Sequence, residues 1–433
     1  MRVARKKVQQ RPLLDGRADV IKRKGRYALV NSTLTPRAAM IDDLVAIHDV
    51  LDAAGIDHLL VRRDDDRPVI ALDGEWRADV QRALAEAFAA EPFYSRAGSG
   101  TSVLVADGSL SDSEDSRILR LYRPRISTNG LLEYGARAGV RIEFWTFDVD
   151  ELIAPAENAL MRHRLPRTEA IAASVDAHDR TWSTLAGMFD TLASDVTFDI
   201  DMVFSWVDGT SSEFQRLRAE RMSTYVVGEG DDSEARFRQI DELKYALRSV
   251  RLYAPWVRRI FIVTDSPRPT WLAEHPLVTI VRSEEFFADP SVLPTHNSHA
   301  VESQLHHIEG LAEHFIYSND DMFFGRPVRP DMFFSPGGVT RFIEATTRIG
   351  LGGPEVGRSG FENAARVNRE LLRERFGRVT TRHLEHAATP LRPASWRPSS
   401  ESSPRTLPAR QRARSARRPI SPSRTPCTTT TPS

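Results

Sequence analysis

The stretch FIYSNDDMFF at residues 315–324 sets two adjacent carboxylates, Asp320 and Asp321, between two apolar runs. The first run has the character of a buried strand, and the acidic pair follows its end. Charged groups at such a position are costly to remove from water unless a cation or a ligand neutralises them. Asn and Asp also favour turns, so an ordinary turn is the alternative interpretation of this stretch.

Two earlier apolar runs also end on aspartates. Residues 199–208 end in Asp208, and residues 259–265 end in Asp265. Stretches with the apolar spacing of helices lie between these runs, and alternation of strands and helices predicts a mostly parallel sheet covered on both faces. Because the carboxyl ends of parallel strands meet at one edge, where such folds bind ligands, we predict one acidic site there.

The 433 residues are enough for several domains. We predict a basic leader (1–34), a small α+β domain (35–155), a largely helical connector (156–195), an α/β core (196–345), a further block (346–387) and a tail (388–433). Pro, Ser, Arg and Thr make up 34 of the 46 residues in that tail. Such a composition cannot bury enough apolar surface to offset the cost of ordering, so we expect a disordered tail.

The formal net charge is zero, but its distribution is uneven. Residues 1–30 hold ten Lys or Arg and two Asp, and residues 388–433 hold nine Arg and one Glu, so the body between them is acidic. An acidic body argues against a nucleic-acid partner. The basic leader allows peripheral contact with the inner face of the cell membrane, although a solvated terminus is the simpler interpretation.

Cysteine and hydropathy patterns bear on location. The single cysteine, Cys427, excludes a disulfide within one chain. No apolar stretch approaches the roughly 18 residues of a membrane span, and no apolar region of a secretory signal follows the basic start. We therefore expect a cytoplasmic protein.

Two kinds of chemistry are indicated by individual residues. Asp320 and Asp321 are oxygen ligands suited to Mg²⁺ (or Mn²⁺), which would link them to substrate phosphates. His299 opens a predicted helix and is the best candidate for proton transfer, while Asn297 before it is equally explained as the helix cap. The spacing of His299 and His306 lacks a carboxylate–histidine pattern, which argues against zinc.

These motifs resemble, in order, the conserved blocks of the Stealth-type phosphotransferases. Residues 201–209 resemble the first block, and the second is matched by residues 238–249, 253–256, 262–265, 297–302 and 319–321. The N-terminal domain is similar to that of actinobacterial exopolysaccharide members through residues 142–145. The family also includes the GlcNAc-1-phosphotransferase that marks lysosomal enzymes.

The resemblance implies transfer of a sugar 1-phosphate from a nucleotide sugar such as UDP-GlcNAc to a hydroxyl of a polysaccharide or glycan acceptor, with release of a nucleoside monophosphate. It implies a nucleotide-diphosphosugar-transferase-like core of GT-A or Rossmann-like type. The catalytic residues that we predict are Asp208, His299, Asp320 and Arg366, and the metal ligands are Asp320 and Asp321. The predicted substrate-binding residues are Asp201, Arg238, Asp265, Asn297, Asn319, Asn368 and His386.

The chain departs from the family pattern after His386. The third block is partial, and the Pro/Ser/Arg/Thr tail stands where the family has a fourth block. Arg outnumbers Lys 54 to 5, as in a GC-rich gene, so we expect a truncation or a shift of reading frame near Ala387. Two alternatives therefore stay open: an ordinary metal-dependent glycosyltransferase that releases UDP, and an inactive nucleotide-sugar-binding remnant.

Overall fold

The computed structural model describes residues 12–393 except 32, 64–66, 112, 114, 223–238 and 296. The predictions for Arg238, for residues 1–11 and for residues 394–433 lie outside these described residues. The chain divides into two compact units, Met1–Thr191 and Leu192–Ser433.

The first unit is an α+β domain. Its helices are α1 (Pro12–Asp15), α2 (Pro36–Ala53) and α3 (Arg77–Ala87). Its strands are β1 (Val20–Arg23), β2 (Arg26–Asn31), β3 (His58–Val61), β4 (Val69–Asp73), β5 (Tyr94–Ala97), β6 (Val103–Leu104), β7 (Ile118–Tyr122), β8 (Arg125–Ser127), β9 (Glu133–Tyr134), β10 (Val140–Phe147), β11 (Glu151–Ile153), β12 (Arg164–Pro166), β13 (Ala172–Ala177) and β14 (Arg180–Leu185). Strands β1, β2, β8 and β9 form one sheet, β3 to β7 and β10 to β12 form an eight-stranded sheet, and β13 pairs with β14.

Alternating residues of the eight-stranded sheet fill two cores. Ile70 and Leu72 of β4 pack into the core beneath α2 and α3, while Val69 and Ala71 face a second core around Trp145. Helix α2 begins where Thr35 Oγ1 accepts a hydrogen bond from the Ala38 amide at 3.2 Å. The alternation of side chains along β4 therefore accounts for the two cores, and the Thr35 cap accounts for the start of α2.

The helical connector predicted at 156–195 is wrong. The structure has β12, β13 and β14 there, and no helix among these residues. A hairpin joins β13 to β14 through His178 and Asp179, whose φ angles are 55° and 60°. A two-residue turn of this kind matches the twist of the strands, and it lets Trp182 become fully buried.

The second unit is built on one mostly parallel sheet. Its helices are α4 (Ser212–Met222), α5 (Glu242–Tyr253), α6 (Ser283–Phe286), α7 (Ser298–Glu302) and α8 (Gly360–Phe376). Its strands are β15 (Ile200–Ser205), β16 (Ile260–Val263), β17 (Val278–Val281), β18 (His314–Asn319), β19 (Glu344–Arg348), β20 (Arg382–Leu384) and β21 (Thr389–Leu391). The five-stranded order is β17-β16-β15-β18-β21, and β19 pairs with β20.

Both faces of the parallel sheet are covered. Met202 and Phe204 of β15 pack with Leu243 and Val250 of α5 on one face. Val203 of β15 belongs to the core on the opposite face. Pairings β15–β16, β15–β18 and β16–β17 are all parallel, which confirms the predicted arrangement of these strands.

The structure corrects the expectation for the start of the tail. Thr389–Leu391 forms β21, which pairs antiparallel with β18 through Phe315, Ile316 and Tyr317. Leu391 is 7% exposed, because it joins one of the two cores of the second unit. Apolar and backbone partners on β18 therefore order residues that composition alone assigns to a disordered segment.

Within the described residues, no helix has both the length and the apolar character needed to cross a bilayer.

Candidate active site

The carboxyl ends of three parallel strands meet at one edge of the second unit's sheet. Ser205 of β15 lies opposite Val263 of β16 on one side and opposite Asn319 of β18 on the other. The residues that follow these strand ends include Asp208 and Asp320. The sheet edge predicted from the sequence is therefore present. Because these strands pair in parallel, the residues that follow their carboxyl ends emerge at the same edge.

Asp320 is the electrostatically perturbed group at this edge. Burial, together with the negative charges of Asp321 and Glu242, raises the pKa of Asp320 to about 6. Asp321 itself is exposed. Asp321 and Glu242 add their negative charges to that of the partly buried Asp320. The resulting negative potential would be relieved by a bound cation.

Helix α5 supports the loop that carries the acidic pair. The amide of Phe324 donates to Ser249 Oγ at 3.0 Å. Glu242 lies in the first turn of the same helix, and its Oε2 accepts from the Ile240 amide at 2.8 Å. Neither Ser249 nor Glu242 was among the predicted site residues, because an acidic first turn and a buried serine are also ordinary features of a helix.

Asn319 and His386 are brought together although 67 positions separate them. Asn319 Nδ2 lies 3.1 Å from His386 Nε2. Asn319 ends β18, and His386 follows β20 shortly before β21 returns to the sheet. The two predicted residues therefore form one hydrogen bond, and Asn319 immediately precedes the acidic pair in the chain.

Asp208 and Asp265 organise the loops at the same edge. Asp208 Oδ1 accepts from the amide and the hydroxyl of Thr210 at 3.0 and 2.6 Å, and the Asp208 amide donates to Ser266 Oγ at 2.8 Å. Asp265 Oδ1 accepts from the Ser283 amide at 2.8 Å. These bonds join the loop after β15 to the loop after β16, and that loop to the start of α6.

His299 lies in α7, as predicted. Asn297 Oδ1 accepts from the His299 amide at 3.0 Å and so caps this short helix. The His299 side chain is half-buried. The cap explains Asn297 by local structure and fixes the backbone from which the imidazole projects.

Arg366 and Asn368 lie on α8. Arg366 is 2% exposed, and its Nη1 donates to the Glu362 carbonyl at 3.0 Å. Its Nε is buried without a hydrogen-bond partner among the described residues. A Cβ on Gly350 would lie 2.9 Å from Arg366 Nη2, so a side chain at position 350 would require the guanidinium to shift.

The structure places Asp201 away from the predicted site. Asp201 lies near the start of β15, four positions before the strand ends, and is fully buried. Its carboxylate accepts from Arg258 Nε and Nη2 at 2.9 and 2.6 Å and from the Ala312 amide at 2.8 Å. With its oxygens occupied in this way, Asp201 has a structural role rather than the substrate-binding role that we predicted.

Among the described residues, no group of three or more His, Cys, Asp and Glu is arranged to hold a metal ion. The acidic pair nevertheless suits Mg²⁺, which commonly uses one or two carboxylates together with substrate phosphates. The raised pKa of Asp320 is the structural observation that agrees with this ligand set.

Comparison with known protein families adds to this geometry. The chain matches the family models "Stealth protein CR1, conserved region 1" over residues 198–226 and "Stealth protein CR2, conserved region 2" over residues 236–342. The two regions contain Asp208, His299, Asp320 and Asp321, whereas Arg366 lies outside both.

Similar proteins cover most of the chain. It is 60% identical over 376 residues to exopolysaccharide phosphotransferase CpsY of Mycobacterium tuberculosis, a match that spans 86% of this chain and 70% of that protein. It is 52% identical over 372 residues to an exopolysaccharide phosphotransferase of Nocardia farcinica, spanning 86% and 68%. A protein of the same name from Streptomyces coelicolor is 38% identical over 387 residues, spanning 85% and 65%.

Proposed function

Because the chain belongs to the Stealth family of phosphotransferases, we propose that it transfers a sugar 1-phosphate from a nucleotide sugar to a hydroxyl of an exopolysaccharide. The names of its relatives support the phosphotransferase activity and the polysaccharide acceptor. One observation carries the assignment of the site: the Asp320–Asp321 pair follows β18 at the carboxyl edge of a parallel sheet, within the second matched region. The same sheet supports an architecture like that of nucleotide-diphosphosugar transferases.

The reaction that we propose exchanges one bond to phosphorus for another. The acceptor hydroxyl oxygen attacks the phosphorus next to the sugar, and the bond from that phosphorus to the bridging oxygen breaks. The nucleoside monophosphate leaves with the electron pair, and the hydroxyl proton passes to the His299 imidazole. Positioning and electrostatic stabilisation dominate reactions of this type, so fixed side chains at the sheet edge are the residues that matter.

The acidic pair is where we propose that Mg²⁺ or Mn²⁺ binds. Asp320 and Asp321 supply the hard oxygen ligands, and the raised pKa of Asp320 supports an unneutralised negative environment. When bound, such a cation would neutralise charge on the diphosphate of the donor. In its absence, the carboxylates would repel that diphosphate.

Other predicted residues in this proposal either position loops and side chains or bind the transferring phosphate. Asp208 and Asp265 hold the loops that would border the nucleotide sugar, and Asn319 orients His386 through their mutual hydrogen bond. In this proposal Arg366 stabilises the negative charge of the transferring phosphate, and Asn368 on the same helix binds substrate. The free Nε–H of Arg366 is the feature that supports its role.

The nucleotide product tests the proposal. UDP-GlcNAc is incubated with the full chain and a polysaccharide acceptor, with Mg²⁺ or with EDTA, and nucleotides are separated by anion-exchange chromatography. We expect UMP, formed only with the cation. Asp320→Asn and Asp321→Asn should each lower UMP release by about a hundredfold or more. Glu274→Gln, which removes a charge from a side chain that is 94% exposed, is the matched control.

Other products distinguish the alternatives. UDP as the product would establish an ordinary glycosyltransferase, with attack at the anomeric carbon, and His299→Ala and Arg366→Ala should then spare the activity. Binding of UDP-GlcNAc in calorimetry without release of either nucleotide would favour a binding remnant. Neither alternative is favoured by the names of the relatives.

A further inference from the structure

The first unit contains a concave site that the proposed reaction does not use. A cavity of about 330 Å³ lies between the β1–β2 hairpin, Arg96 at β5, and the neighbourhood of β8 and β9. Its volume is near the lower end of the range for small-molecule sites, and suits a group of the size of a sugar phosphate. No residue assigned to the acidic edge lines this cavity.

Four cations and a single carboxylate line the cavity. The cations are Arg23, Lys24, Arg26 and Arg96, and the carboxylate is Glu133. Glu133 Oε2 lies 3.8 Å from Arg23 Nε and 3.7 Å from Lys24 Nζ, so it partly neutralises these two. The lining therefore keeps a formal excess of three positive charges.

The other two cations have no carboxylate partner among the described residues. Arg96 Nε donates to the Gly98 carbonyl at 3.0 Å, which leaves its two terminal nitrogens available, and Arg26 is exposed. Like charges gathered in a concavity repel one another unless an anion enters. Arginine also binds phosphate through two parallel hydrogen bonds, which makes it the side chain best suited to such an anion.

Buried tyrosines form the apolar side of the same cavity. Tyr122 and Tyr134 are 2% and 8% exposed. Their hydroxyls are occupied, with Tyr122 Oη donating to Ser102 Oγ at 2.8 Å and Tyr134 Oη to the Leu34 carbonyl at 3.1 Å. The two rings therefore close the wall of the cavity, and the arginines supply its accessible binding groups.

We propose that this cavity, lined by Arg23, Arg26, Arg96, Tyr122 and Tyr134, binds a phosphodiester-linked glycan. The proposal rests on the proposed function, because transfer of sugar 1-phosphate to a polysaccharide creates phosphodiesters in the acceptor. The growing polymer is then an anionic glycan, which matches the positive charge of the cavity. A concave site of this size accommodates one phosphate with its flanking sugar, whereas a flat lipid surface does not enter it.

Calorimetric titration of the full chain tests the proposal. The probe is a synthetic N-acetylglucosamine disaccharide joined by a phosphodiester, and the matched probe is the glycosidically linked, uncharged disaccharide. We expect only the phosphodiester to bind, with an affinity that falls as salt is added. The double variant Arg26→Gln/Arg96→Gln should weaken this binding at least tenfold. Arg82→Gln/Arg164→Gln, which removes the same charge from two side chains that are each 66% exposed, should not.

Several outcomes would overturn the proposal. Equal binding of the two disaccharides, or unchanged binding by Arg26→Gln/Arg96→Gln, would exclude a phosphodiester site here. Binding to phosphatidylglycerol vesicles without binding to the phosphodiester would assign the cations to a membrane surface. The result is separable from the catalytic assignment, because Asp320→Asn should keep phosphodiester binding while it loses UMP release, and release of UDP would leave the titration interpretable.

Discussion

At the scale of one residue, Asp320 combines a position just after a buried strand with a raised pKa. Its position after a buried strand places the carboxyl where desolvation penalises its charge, and this, together with the charges of Asp321 and Glu242, raises its pKa to about 6. The sequence predicts the position, since the apolar run before it is easily recognised. The sequence does not predict the electrostatic influence of Glu242 on Asp320, because it depends on how α5 packs on the sheet.

Removal of the Asp320 charge should stabilise the metal-free protein at alkaline pH. The folded-state pKa of about 6 exceeds the ordinary value of 3.8, so the folded chain holds this proton more tightly than the unfolded chain. The resulting stabilisation is complete below pH 3.8 and is lost as pH rises through 6. In urea unfolding with EDTA, Asp320→Asn should therefore raise the free energy of unfolding by roughly 1–3 kcal/mol at pH 8.

The same comparison at pH 4.5 should give a smaller difference between Asp320→Asn and the unaltered chain. Glu274→Gln serves as the control at both pH values and should change little, since its carboxylate is exposed. A loss of stability in Asp320→Asn at pH 8 would contradict the electrostatic explanation.

At the scale of the element, strand β15 separates two acidic residues that are predicted from the sequence to share one site. It carries acidic residues at both ends, and the sequence assigned both Asp201 and Asp208 to one site. Only the direction and register of the strand separate them: Asp201 is buried near the start, and Asp208 follows the end. Parallel order was predictable from the alternation of strands and helices, whereas the partner of Asp201 was not, since Arg258 is one of many arginines.

The Asp201–Arg258 pair should matter for folding and not for turnover. Arg258→Leu leaves the fully buried carboxylate without its guanidinium and should lower the free energy of unfolding by about 3 kcal/mol. Arg268→Leu removes an arginine that lies 3.8 Å from the exposed Glu274 and should cost well under about 1 kcal/mol. Urea unfolding measures both. If Arg258→Leu instead lowered UMP release per folded molecule tenfold or more, Asp201 would return to the list of site residues.

The hairpin at β13 and β14 shows why one element was missed. Hairpins with two-residue turns are usually recognised by Asn-Gly or Asp-Gly, but His178 and Asp179 adopt the same left-handed angles here. The prediction from the sequence for this segment is a largely helical connector. The burial of Trp182 against distant parts of the first core decides the outcome, and that long-range packing is absent from local sequence.

At the scale of the whole molecule, each unit has its own hydrophobic cores. The clusters around Ile47 and around Trp145 belong to residues before 191, and those around Phe204 and Phe315 belong to residues after 192. Composition and length predicted more than one domain, but the boundary predicted at 155 cut through the first unit. The strands from β12 to β14 complete that unit, because they supply buried residues to it.

A fragment of residues 1–191 should therefore fold alone and unfold cooperatively in urea, as followed by circular dichroism. A fragment of residues 1–155, which ends at the boundary predicted from sequence, lacks β13, β14 and the buried Trp182 and should not. Equal cooperativity of the two fragments would show that the hairpin is dispensable for the first unit.

Strand β21 has a consequence for solubility. β18 is an apolar six-residue strand, and β21 occupies the edge that β15 leaves open, through pairings at Phe315, Ile316 and Tyr317. An uncovered edge of this kind offers unpaired amides and carbonyls to a second molecule and promotes aggregation. The short strand Thr389–Leu391 thus covers the edge of β18, the strand that precedes the acidic pair, and prevents that edge from pairing with a second chain. These three residues protect solubility although they have no role in the proposed reaction.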